Sequence, residues 1–99
     1  LKLYDKVESG YIYAITNPAW KEWVKIGMAV DSADRCNSYQ TSSPYRDYQV
    51  IYTFPTLHRR LSEKKVHSFV TKHAHERKGE WFKLDKTLAI MLLDKMKKE

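Results

Sequence analysis

The sequence predicts an α+β domain, a small three-stranded sheet flanked by helices in the order β-β-α-β-α-α. Three observations carry this expectation. Two aromatic and β-branched runs, 10–15 and 23–28, are separated by a short turn, and a third such run lies at 48–54. The second half of the chain places apolar residues at helical spacing. With 99 residues, a single domain spanning 1–99 is expected.

Gly10 to Ile15 suits a strand, and Thr16-Asn17-Pro18 is turn chemistry. Trp23 to Met28 follows closely enough for an antiparallel hairpin. Alternation puts Tyr11, Tyr13 and Ile15 on one face of the first strand. In the second, Trp23, Lys25 and Gly27 share a face, and Val24, Ile26 and Met28 on the other look like core. Asp31-Ser32 offers an N-cap to a helix carrying Ala33, Cys36 and Tyr39, which Thr41 to Pro44 ends. The third strand is closed by Pro55, and Thr56 can cap a helix from about Leu57 to His75. Val66, Phe69, Val70 and Ala74 form its apolar stripe. Lys78-Gly79 breaks the chain, and Glu80-Trp81-Phe82 is a short extended piece. Asp85 can cap a last helix that turns Leu88, Met91, Leu92 and Met96 to the core.

Composition narrows the function. Hydrophobic residues at 42% and charged residues at 30% are ordinary for a globular chain and exclude a disordered tail or a membrane protein. The longest strongly apolar run, Leu88 to Leu93, is far short of the ~20 residues a bilayer requires. The net charge of +6 suits a polyanionic partner such as nucleic acid, though it also suits a merely soluble basic domain. One cysteine, Cys36, cannot form an internal disulfide, and no signal-peptide core opens the chain, so an intracellular location is expected. The chain opens on Leu1 rather than Met, which leaves its flanks open.

Glu63 stands out on its helix. It falls at the edge of the apolar stripe, whereas Lys64, Lys65, Ser68 and Lys72 lie on the far side. Such a carboxylate can hold a cation, but it can equally complement the helix dipole or partner His67 one turn on. Arg35 lies four residues before Tyr39, so the two share a helix face, and arginine suits phosphate. Tyr13 and Lys25 are expected to project from one face of adjacent strands.

Together these residues resemble the GIY-YIG nuclease superfamily over nearly the whole chain. Gly10-Tyr11-Ile12-Tyr13 is similar to its first motif with one residue inserted, and Lys25-Ile26-Gly27 to its second, with Lys25 in place of a tyrosine. Arg35 follows Gly27 by eight residues, as the family's helix arginine does, and Glu63 stands where its metal-binding glutamate opens a long helix. No asparagine follows Asn37 to match the family's late one. Glu63 with His67, and Gly79 to Phe82, look most like a phage-associated branch often labelled as DNA-binding. The resemblance implies an endonuclease that hydrolyses DNA phosphodiesters with one Mg²⁺ or Mn²⁺. Glu63 would hold the metal, Arg35 would stabilise the phosphoryl oxygens, and Tyr13 with Lys25 would orient or deprotonate the attacking water. Tyr39 and His67 would support them, while Arg46, Arg59 and Arg60 would track the DNA backbone. A catalytically inactive DNA-binding module on the same fold is the alternative, and specificity would come from a fused or separate module.

Overall fold

The computed structural model describes residues 8–30 and 48–97. Its strands are β1 (Gly10–Thr16), β2 (Trp23–Ala29), β3 (Gln49–Thr56), β4 (Glu76–Lys78) and β5 (Trp81–Lys83). Its helices are α1 (Arg59–Thr71) and α2 (Lys86–Lys97), and a single 3₁₀ turn spans Pro18–Trp20. The strands form one five-stranded sheet in the order β3-β1-β2-β5-β4, with every neighbouring pair antiparallel. Among the described residues the element order is therefore β-β-β-α-β-β-α.

This corrects the expected three-stranded sheet. Gly79, at φ +61°, turns the chain between Lys78 and Trp81 as a two-residue hairpin loop, which requires a positive φ. The extended Trp81–Lys83 segment then pairs with Trp23–Lys25 of β2. Three-residue strands are too short to show an alternating pattern, so sequence periodicity could not mark them. The helix expected after Asp31-Ser32 lies outside the described residues.

The first hairpin forms as its turn chemistry predicts. Asn17 Oδ1 accepts from the Ala19 amide at 2.9 Å, and Pro18 opens the 3₁₀ turn. β3 continues through Pro55 to Thr56, two residues past the expected end at Phe54. It is an edge strand, where a missing amide is tolerated. Tyr52 on β3 donates its hydroxyl to Asp94 of α2 at 2.8 Å. α1 is shorter than expected, beginning at Arg59 behind His58. Thr56 does not cap it; its hydroxyl accepts from the His58 amide at 3.2 Å and bonds Ser62 at 2.6 Å, ordering the entry turn. Asp85 Oδ2 accepts from the amides of Thr87 and Leu88 and so caps α2 as expected.

The core lies between one sheet face and the two helices. Ile12, Ala14, Val24, Ile26, Phe54 and Phe82 meet Val66 and Val70 of α1 and Ala89, Leu92 and Leu93 of α2. Met91, expected to face inward, is 63% exposed; Ala89 and Leu93 take the inner face of α2 instead. Among the described residues no helix is long and apolar enough to cross a membrane.

Candidate functional site

The site is built where β5 stops short of the end of β2. The two strands pair from Trp23 to Lys25, and the Ile26 amide makes a last bond to the Glu80 carbonyl at 3.0 Å. Beyond that point β2 would present bare backbone groups along its edge. Two side chains from α1 cover them. His67 Nε2 donates to the Ile26 carbonyl at 2.7 Å, and the Met28 amide donates to the Glu63 carboxylate. Glu63 and His67 are one helical turn apart, so both reach the same stretch of strand.

The bond to a carbonyl, which can only accept, fixes His67 with its proton on Nε2. Its Nδ1 lies 3.5 Å from Arg77 Nη2. His67 is buried, and its ring centre lies 5.3 Å from that of Phe82. Arg77 stacks on the same phenyl ring at 5.0 Å and donates to the Gly79 carbonyl and the Thr71 hydroxyl. The edge cluster is thus held from α1, β4 and β5 together.

Glu63 is half-buried, and its Oε2 is buried without a hydrogen-bond partner among the described residues. Burial pushes its carboxyl above the ordinary 4.5; the neighbouring His67 opposes this, and the Glu80 carboxyl adds to it by repulsion and by a hydrogen bond that favours the protonated form. Glu80 in turn pairs with Lys25 at 3.3 Å. Four cations, Arg60, Lys64, Lys72 and Arg77, line the surface groove that Glu63 and His67 also line.

The raised Glu63 carboxyl has a consequence for stability. The folded state holds its proton more tightly than the unfolded chain does, so this group's contribution is fully present below about the ordinary 4.5 and is lost as pH rises through the raised folded value. Glu63→Gln removes that loss and still accepts from Met28. A Tm series from pH 4 to 8 is expected to show the variant gaining on the wild type as pH rises.

The expected site residues are not all in one place. Tyr13 pairs with Gly27 across the hairpin, and Lys25 pairs with Ile15, so Tyr13 and Lys25 are diagonal neighbours on one face, as alternation predicts. Tyr13 is buried and lies across Gly27, where an added Cβ would stand 2.5 Å from its hydroxyl oxygen. Glu63 and His67 approach from the helix-covered face, and Glu80 joins the two sets at the strand edge. Arg35, Tyr39 and Arg46 lie outside the described residues. Arg59 points inward: it is 5% exposed, and Nη1 donates to the Ser9 carbonyl at 3.3 Å. A backbone-tracking role therefore suits Arg60, which is exposed on the groove, and not Arg59. Glu80 and Arg77 went unassigned in the sequence. A carboxylate just before a Trp-Phe pair was a faint signal for Glu80; Arg77 offered none.

Among the described residues no three His, Cys, Asp or Glu side chains converge as a metal cluster. The pair Glu63 and Glu80, with the orphaned Oε2, nevertheless fits a hard cation that takes one or two carboxylates and keeps its waters.

A family model for the T5orf172 domain matches residues 10–97. Curated proteins and solved structures give no match. The matched family differs from the GIY-YIG superfamily that the motifs resemble, and that assignment is corrected. The inserted residue in the first motif, Lys25 in the second and the missing late asparagine are the departures that go with it. T5orf172 domains are associated with nuclease and DNA-binding functions, which fits a DNA-related role. The chain belongs to the T5orf172 domain family.

Proposed function

We propose that this T5orf172-domain chain is a divalent-metal-dependent endonuclease that hydrolyses phosphodiester bonds in DNA. The observation that carries this is the orphaned, half-buried Glu63 carboxylate beside Glu80, set in a groove lined by four cations. A carboxylate kept in such surroundings, with its charge penalised, is what a bound cation would relieve. Glu63 would hold Mg²⁺ or Mn²⁺, with Glu80 alongside. When bound, such an ion polarises the scissile phosphate and stabilises charge on the leaving oxygen.

The chain's own residues supply the rest. Arg60, Lys64 and Lys72 attract the phosphate backbone and hold it over the groove. His67, locked by the Ile26 carbonyl and Arg77, keeps the Glu63 end of the helix registered against β2. Lys25 orients Glu80 through its ion pair. Tyr13, which shares the Lys25 face, is assigned to orienting the attacking water. Arg35 is assigned to the developing charge on the phosphoryl oxygens, and Tyr39 to supporting it.

Nicking of supercoiled plasmid is the test. Relaxed circles are expected with Mg²⁺ or Mn²⁺ and none with EDTA. A chain that nicks under no divalent ion, yet binds duplex with a steep salt dependence, would be a DNA-binding module instead.

A further inference from the structure

The chain has three tryptophans, and all three meet at one surface cleft that the proposed cleavage site does not use. Trp20 ends the 3₁₀ turn, Trp23 opens β2 and Trp81 opens β5; Tyr48 and Lys78 complete the lining. Trp20 meets Trp81 edge-on, with ring centres 5.7 Å apart at 63°, and is 49% exposed. None of the three belongs to the buried core. Aromatic side chains gathered at a surface with cations beside them form stacking platforms for unpaired bases.

Two features favour a nucleobase over a cationic ligand. The Lys25 ammonium lies over the Trp81 ring at 5.7 Å, and that of Lys78 over Trp23 at 5.8 Å, so the cleft already carries positive charge that repels a methylated amine and attracts a phosphate. No carboxylate is among the described lining residues to attract such an amine. Among the described residues the ion pair of Lys78 is with Glu76 at 3.7 Å, between two exposed side chains, and it yields readily to a phosphate. Lys25 touches both Trp81 and Glu80, and Glu80 stands beside Glu63, so the platform adjoins the proposed cleavage site.

We infer that the Trp20–Trp23–Trp81 cleft stacks an unpaired nucleotide of the DNA substrate, with Lys78 on its phosphate, so that the domain prefers DNA in which a strand leaves the duplex beside the scissile bond. This rests on the proposed DNA function and adds the class of substrate.

The test uses the whole chain in EDTA, so binding is read without cleavage. Tryptophan fluorescence, excited selectively over tyrosine, reports on the cleft, because every tryptophan is in it. Single-stranded oligonucleotide and a duplex with a single-stranded flap are expected to quench it more than blunt duplex of equal phosphate content. Trp20→Ala, at an exposed position whose fold is checked by Tm, is expected to weaken flap binding about tenfold more than blunt-duplex binding. Trp20→Tyr should restore most of the difference. Equal weakening on both DNAs, or on neither, overturns the platform, as does tight binding of a trimethyl-lysine peptide without any preference for unpaired DNA. Blunt duplex bound without preference overturns the platform alone. Failure to bind any DNA form overturns the DNA function as well.

Discussion

Glu63→Gln is expected to cut the rate of DNA nicking by about a hundredfold or more, the scale seen when a group that stabilises transition-state charge is removed. The same variant should bind duplex DNA with little change, because Arg60, Lys64 and Lys72 are untouched. The substitution is chosen for what it spares. A glutamine oxygen still accepts from the Met28 amide, so the edge of β2 stays covered and α1 stays in register. Only the charge that a cation requires is lost. If Glu63 merely covers a strand edge, the variant will nick at the wild-type rate, and its only signature will be the flatter dependence of Tm on pH. Rate and Tm measured on one preparation separate these outcomes.

Phe82→Ala is expected to cost about 3–5 kcal/mol of stability, lowering Tm by more than about 12 °C. Phe82 is wholly buried at the centre of β5, opposite Val24, and it carries both His67 and Arg77 on its ring. Its loss opens a cavity beneath the edge cluster as well as in the core. In a three-stranded domain the same residue would sit in a peripheral segment, and the change would cost well under 1.5 kcal/mol, on the order of a surface substitution. Thermal and urea unfolding, compared with the Tyr11→Ala variant at an exposed position near the start of β1, distinguishes the two architectures.

What could be read from the sequence was whatever a local period or cap encodes. Val24 and Ile26 are buried and Met28 packs on the core from the same face, because strand alternation is strict. Asp85 caps its helix because an aspartate two and three residues ahead of free amides has few better uses. The β4–β5 hairpin was not legible: its strands span one alternation each, and Lys78-Gly79 reads as a break as easily as a turn. Half of the site was lost with it. Glu63 could be singled out from the helical wheel, since its position at the edge of the stripe, next to Val70 and Ala74, follows from helical spacing alone. The cluster around it depends on where β5 ends, on Glu80 returning to β2 and on Arg77 bridging two elements. These are long-range facts with no local trace. Arg59 shows the converse, since two adjacent arginines look alike in sequence but only one of them faces the groove.

Paramagnetic broadening by Mn²⁺ in the absence of DNA tests the metal site most directly, because it locates the ion on the chain even when binding is weak. At low Mn²⁺ the backbone amides of Met28, Glu63 and Glu80 and the His67 ring are expected to broaden first in the wild type. In Glu63→Gln that pattern should be lost while broadening at other surface carboxylates, such as Glu22 and Glu76, is unchanged. Broadening that begins at Glu22 or Glu76, or that is the same in both proteins, would contradict a divalent-cation site at the edge of β2.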